Sequence, residues 1–194
     1  MPDDQIRARI RNLRTVFLDR DGVLNRKMPE GAWVTSPDEL HFLKGAPDAV
    51  ARLNRAGFLV LVVTNQRGIA RGSLSPEGLE RIHAALQEGL SSSGARIDGI
   101  FHCPHDRGEC DCRKPLTGMF VQARKQFPQV DAKTSTMIGD SLSDMQFGSA
   151  LGMLTLLLHT NTEMHGEAAR KAGQLADANF STLSNAVDFL LDGG

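Results

Sequence analysis

Residues 58–64, FLVLVVT, form an unbroken apolar run rich in β-branched side chains. A half-buried strand alternates polar and apolar residues, whereas a strand that is apolar at every position must be covered on both faces. That requirement points to a parallel sheet with helices on each side. TVFLD (15–19) is a second such run, ending in acid, and IDGIFHC (97–103), TSTMIG (134–139) and MLTLLLH (153–159) are further strand candidates. A short strand is predicted around ADANF (176–180). Helical patterns fall between them, at 46–57, 75–90, 117–127, 142–152, 163–173 and 181–191. The second of these has Ser75 as N-cap, Pro76 in the first helical position and acid in the first turn, while Gly57 stops the first. Strand and helix alternate throughout, so the expected fold is α/β, a doubly wound parallel sheet in one domain over residues 1–194.

Composition narrows the function classes. With 41% apolar and 23% charged residues, the chain has the balance of a soluble globule. Its net charge of −1 argues against a large phosphate-backbone footprint, so no nucleic-acid partner is expected. QIRARIRNLR (5–14) carries four arginines and reads as a solvated arm or short helix. No run approaches the ~18 apolar residues of a membrane helix, and the start lacks the apolar core of a secretory leader. A cytoplasmic monomer without membrane contact is the expectation.

In open parallel sheets the ligand sits beyond the carboxyl ends of the strands. Asp19 and Asp21 follow the first predicted strand, Thr64-Asn65-Gln66 the second, and GDSLSD (139–144) the strand at 134–139. Lys114 follows the segment that holds the cysteines. Three acids, a threonine and a lysine are thereby expected at one edge.

The cysteine segment makes a separate prediction. CPHDRGECDC places Cys103, His105, Cys110 and Cys112 within ten residues, in the longest irregular stretch, 102–118. Three clustered cysteines without a secretory context suit a metal better than a disulfide framework. Three thiolates with one imidazole can close a tetrahedral shell of structural Zn2+. The metal would fold a loop too short for its own core and so fix the residues that follow it, Arg113 and Lys114.

The ordered motifs DRDG, TN, RKP and GDSLSD, each behind a strand, resemble the haloacid-dehalogenase superfamily of phosphotransferases over roughly residues 15–160. The resemblance implies a Rossmann-like fold. It implies that Asp19 attacks phosphorus to form an aspartyl-phosphate, and that Asp21 protonates the leaving oxygen and then activates water. It implies catalytic Mg2+ on Asp19, the backbone carbonyl of Asp21 and Asp140, with Lys114 and Thr64 on other phosphate oxygens. Asp144 is left between bracing Lys114, holding a metal-bound water and lying on a helix face.

FLDRDGVLN, VTNQRGIARG, CPH…CDCRKP and IGDSLSDM further resemble the heptose 1,7-bisphosphate and histidinol-phosphate phosphatases, an essentially capless group with a zinc-binding loop. Asn65, Gln66, Arg67, Arg113, Ser141 and Trp33 are then expected to meet a small phosphorylated metabolite. Ser141 and Arg67 depart from the heptose pattern, where lysine and a small residue are common. The bisphosphate of the heptose is favoured because Arg67, Arg71 and Arg113 offer cations for a second phosphate. Histidinol phosphate would instead use Glu30 or Asp106 for its amine and imidazole. A DNA 3′-phosphatase, sharing TNQ and KP, is the more distant alternative.

Overall fold

The computed structural model describes residues 4–159 and 166–193. Six strands run parallel in one sheet: β1 (Thr15–Leu18), β2 (Leu59–Asn65), β3 (Gly99–Cys103), β4 (Ser135–Gly139), β5 (Leu154–Leu158) and β6 (Ala178–Phe180). Their spatial order is β3-β2-β1-β4-β5-β6. Among the described residues seven α-helices accompany them: α1 (Asp4–Asn12), α2 (Ala46–Arg55), α3 (Pro76–Ser91), α4 (Gly118–Gln126), α5 (Leu142–Leu151), α6 (Gly166–Leu175) and α7 (Leu183–Leu191). The start of the helix expected over 163–173 lies outside the described residues.

Why the strands must be apolar throughout is now visible. Val16, Leu18, Val60 and Val62 point to one face and join α1, α2, α3 and α7 in a single core. Phe17, Leu61 and Val63, the alternate residues, point to the other face and meet α4 and α5. Each such side chain is wholly inaccessible to water. Burying one is worth about 1.5–3 kcal/mol. Met145 of α5, Leu157 and Ala172 of α6 extend the second layer.

Helix ends follow the chemistry of their sequence. The Ser75 side chain accepts a hydrogen bond from the Gly78 N–H at the start of α3. Gly57, behind α2, takes a φ of 83°, open to glycine without strain. The arginine-rich N-terminal segment forms α1, with Ile10 buried and Arg9 paired to Asp177 at 3.3 Å. Among the described residues no helix is long and apolar enough to cross a membrane.

The chain leaves β1 through α2 toward β2, and reaches β4, on the other side of β1, only after α4. The connections behind β1 and β4 therefore diverge and leave a crevice at their carboxyl ends. The long segment from Asp19 to Gly45 rims it as a loop broken by one short turn, Pro37–Glu39.

Candidate active site

β1 delivers Asp19 to the floor of the crevice, and the Asp19 N–H donates to the Ile138 carbonyl of β4 at 3.0 Å. The chain then turns at Gly22, whose φ is 91°. A β-carbon there would strike the Asp140 carboxylate, so only glycine fits. A β-carbon at Gly139 would strike Asp144 in the same way. The first approach brings the ends of β1 and β4 together, and the second folds Asp144 of α5 back on the end of β4. Asp19, Asp140 and Asp144 each place a carboxylate oxygen within 4.8 Å of the others.

Two lysines meet this charge. The buried Lys114 ammonium lies 3.0 Å from Asp19 Oδ1 and 2.6 Å from Asp144 Oδ1, and donates to the Val63 carbonyl at 2.7 Å. One N–H is held by the Val63 carbonyl and the ammonium pairs with both carboxylates, so it offers a bound anion its fixed charge. Asp144 pairs with it, the first of the roles left open by sequence. The same carboxylate accepts from the Ser141 N–H at 3.0 Å and caps α5. Lys27, from the rim loop, lies 2.8 Å from Asp140 Oδ2. Burial pushes the Asp19 carboxyl up to about 7 against the pull of Lys114. It pushes Asp140 up to about 6 against the pull of Lys27. A divalent cation among these oxygens would reverse that tendency.

Asp21 has a different environment. Burial would raise its carboxyl, but Arg20 and the amides of Asn25 and Gln66 outweigh it and hold it below the usual range. Arg20 donates through Nε and through Nη2, which lies 2.9 Å from Oδ2; Asn25 Nδ2 donates at 2.9 Å and Gln66 Nε2 at 3.0 Å. Arg20 is itself completely buried. Behind it stands His83, with Nε2 3.5 Å from the guanidinium, and its ring meets His102 edge-on at 5.8 Å.

The second motif works partly from behind. Gln66 Nε2 donates to Thr64 Oγ1 at 2.8 Å, which leaves the Thr64 hydroxyl proton for a partner in the crevice. Gln66, expected to touch substrate, is instead buried at 1% exposure and holds Thr64 and Asp21. Asn65 lines the crevice but its amide is bonded to the backbone of Lys114. Trp33, Arg67, Arg113 and Ser141 line the crevice as expected.

The crevice encloses about 780 Å³, within the usual range for a small ligand. Lys27, Arg67, Arg71, Arg107, Arg113 and Lys114 all line it. Asp106, next to His105, lies 2.5 Å from Arg67 Nε and 2.9 Å from Arg71, and so ties both arginines to the cysteine loop. One buried N–H nitrogen of Arg113, Nη1, has no hydrogen-bond partner among the described residues. Sequence reasoning missed Lys27, Arg20 and Arg107. Arg20 lies inside the DRDG motif and could have been singled out as a basic residue between two acids.

The cysteine loop brings its four groups together. Ligand atoms of Cys103, His105, Cys110 and Cys112 all lie within 4.8 Å of one another. Cys103 and Cys110 sulfurs are 3.5 Å apart, and His105 Nδ1 is 3.4 Å from the Cys112 sulfur. A tetrahedron with metal–sulfur bonds of ~2.3 Å has edges of about 3.8 Å, so the set fits one metal ion. Burial, then the two neighbouring thiols, pushes the Cys112 thiol upward, a penalty on the thiolate that a cation would offset. The loop ends at Gly118, where a β-carbon would meet the Asp111 and Cys112 backbone.

Comparison with known proteins agrees with this geometry. A HAD-hydrolase-like family model matches residues 111–186. The D-glycero-beta-D-manno-heptose-1,7-bisphosphate 7-phosphatase of Vibrio cholerae is 40% identical over 151 residues, 74% of this chain and 79% of that one. Its counterpart from Escherichia coli K12 is 36% identical over 84% of this chain and 87% of its own. The crystal structure of D,D-heptose 1,7-bisphosphate phosphatase from B. bronchiseptica, complexed with magnesium and phosphate, superposes with a TM-score of 0.81 at 33% identity, covering 94% of this chain and all of that one.

Proposed function

The chain belongs to the haloacid-dehalogenase-like family of heptose 1,7-bisphosphate 7-phosphatases, and on that premise we propose that it hydrolyses the 7-phosphate of a D-glycero-D-manno-heptose 1,7-bisphosphate. Its reacting groups and its relatives make it a phosphatase. The observation that carries the choice of substrate is the rim of Arg67, Arg71, Arg107 and Arg113 on a crevice floored by the acid set. A monophosphate needs one anion site; this crevice has cations for a second. Arginine matches phosphate with paired N–H donors, and Arg113 has one buried N–H unengaged.

Asp19 acts as nucleophile, its plane fixed by Lys114 and by the Arg20 N–H, which donates to Oδ1 at 2.7 Å. Its oxygen bonds to phosphorus as the bond from phosphorus to the sugar oxygen breaks, and that oxygen takes a proton from Asp21, whose protonated form the approaching phosphate dianion favours against the pull of Arg20. Asp21, now ionised and held so by Arg20, then takes a proton from water as the water attacks the aspartyl-phosphate. Phosphate leaves and Asp19 is regenerated. Thr64 donates its hydroxyl proton to a phosphate oxygen. Asp19, the Asp21 backbone carbonyl and Asp140 would hold Mg2+, which supplies positive charge to the transferring phosphoryl group. The cysteine loop would hold Zn2+, since thiolates and imidazole suit it and the closed set leaves no position for substrate. Every group used lies on one chain, so a monomer suffices, and the cytoplasm, where thiols stay reduced, suits the three free cysteines.

Histidinol phosphate is the second reading. Asp106, one of two carboxylates that could have met its amine, is engaged by two arginines, which weakens that reading. The test measures kcat/KM for both anomers of the heptose bisphosphate and for histidinol phosphate, in wild type and in Arg113→Ala. The heptose bisphosphate is expected to win, and Arg113→Ala to narrow its lead. Preference for histidinol phosphate by tenfold, about 1.4 kcal/mol in transition-state binding, would overturn the substrate and leave the reaction class.

A further inference from the structure

Lys27 spans both oxygens of Asp140, 3.1 Å from Oδ1 and 2.8 Å from Oδ2. The two partners are unlike. The Asp140 side chain is wholly buried, fixed behind β4, and the Lys27 side chain keeps 38% of its surface in solvent. Lys27 comes from the rim loop, outside the sheet, on a stem that can swing. An exposed ion pair with this geometry would contribute little. Here the acid lies in a low-dielectric floor among two further acids, so the ammonium neutralises charge that water cannot reach.

A divalent cation on Asp140 needs the same oxygens. The cation and the ammonium would face each other across one carboxylate, with twice the repulsion of two unit charges. Lys114 cannot make way in the same manner, because it is buried and held by Asp19, Asp144 and the Val63 carbonyl. Lys27 is the mobile member of the pair of lysines. Its loop also carries Trp33, the chain's single tryptophan, whose ring packs on Gly68 in the loop behind β2.

We infer that Lys27 is a built-in competitor for the divalent metal at Asp140. It keeps the acid set neutralised before the metal arrives, it lowers the metal's affinity, and its displacement transmits metal binding to the rim loop. The inference rests on Asp140 being a metal ligand, a part of the functional reading, and needs no particular substrate.

The test is calorimetric titration of the purified chain with Mg2+ alone, without substrate, alongside Trp33 emission. Lys27→Met is expected to bind Mg2+ about tenfold more tightly than wild type. Lys27→Arg should stay near wild type, as should Lys133→Met, which removes a charge from an exposed turn far from the crevice. Trp33 emission in wild type should change with the same midpoint as the heat. Far-ultraviolet circular dichroism confirms the fold, and Lys27→Gln replaces the methionine variant if that one is unfolded. Affinity in Lys27→Met within about twofold of wild type, or a gain matched by Lys133→Met, overturns the competition. A Trp33 signal indifferent to Mg2+ overturns the transmission to the loop. Asp140→Asn separates the premises. If it leaves Mg2+ affinity intact, the metal site itself is misplaced and the inference falls with it. If it abolishes binding while Lys27→Met changes nothing, the inference alone falls.

Discussion

Asn65 and Lys114, separated by 49 residues, bind each other's chain on both sides of one amide: Asn65 Nδ2 donates to the Lys114 carbonyl at 3.1 Å, and Asn65 Oδ1 accepts from the Lys114 N–H at 3.0 Å. The end of β2 thus fixes the backbone from which Lys114 reaches Asp19. Asn65→Ala should release that backbone and lower kcat by ~10–100-fold, since small displacements of a positioned group are costly. KM should move less, because the arginine rim is untouched. Steady-state phosphate release checks the split, and Asn65→Asp, which keeps the acceptor, should fall between the two.

Asp19→Asn and Asp21→Asn should each lower turnover by at least ~10²-fold while the fold survives. The two losses differ in kind. Asp19→Asn removes the atom that bonds phosphorus and should also prevent capture of beryllium fluoride. Asp21→Asn keeps the nucleophile, so capture should persist. Near-normal turnover in either purified variant would sink the mechanism.

Stability should carry the mark of His83. Burial first, and then the Arg20 charge, pushes its imidazole from 6.5 down to about 3. Between those values the unfolded chain binds the extra proton, so this contribution is complete above about 6.5 and is lost as the pH falls. Asp19 and Asp140 tilt the opposite way, since burial raises them to about 7 and about 6, and their contribution is lost as the pH rises through that range. The difference between wild type and His83→Gln isolates the histidine. Its slope against pH should approach ~1.4 kcal/mol per unit below the normal histidine value, read from urea melts. Parallel stability curves would show that His83 takes up its proton in the fold at the same pH as in the unfolded chain.

The chain purified without chelator should carry one zinc per molecule by elemental analysis and still need added magnesium for turnover. Stripping zinc should loosen Asp106 from Arg67 and Arg71, so the penalty should appear in KM for the bisphosphate more than in the rate on a simple aryl phosphate. Zinc-free protein with an unchanged KM would refute the coupling.

The strands were legible because the sheet is buried on both faces, which leaves few positions for polar residues inside them beyond Thr136 and Thr155, whose hydroxyls bond backbone carbonyls. For the same reason Asp19, Thr64 and Asp140 stood out: each breaks an apolar run. The cysteine set was legible because its ligands are near neighbours in sequence. Lys27 was not, since its partner lies 113 residues away and no periodicity links a loop lysine to a buried acid. Gln66 shows the converse limit. Its place in the motif was plain, but whether its amide faces the crevice or the floor depends on Arg20 and Asp21, whose side chains pack beneath it.

Three of the proposed reacting groups and three of the proposed recognising groups belong to different mechanical parts. Asp19, Thr64 and Asp140 sit on or directly behind β1, β2 and β4, strands that are mutual neighbours in one hydrogen-bonded sheet. Trp33, Arg67 and Arg113 sit on three loops joined to one another by side chains. Loop positions other than Asp21, Lys27 and Lys114 can therefore change with little displacement of Asp19, Thr64 and Asp140. A lineage built on this plan can change its diet through the rim while inheriting its reaction unaltered, and a laboratory that wants a new substrate should mutate the loops and leave the strand ends alone.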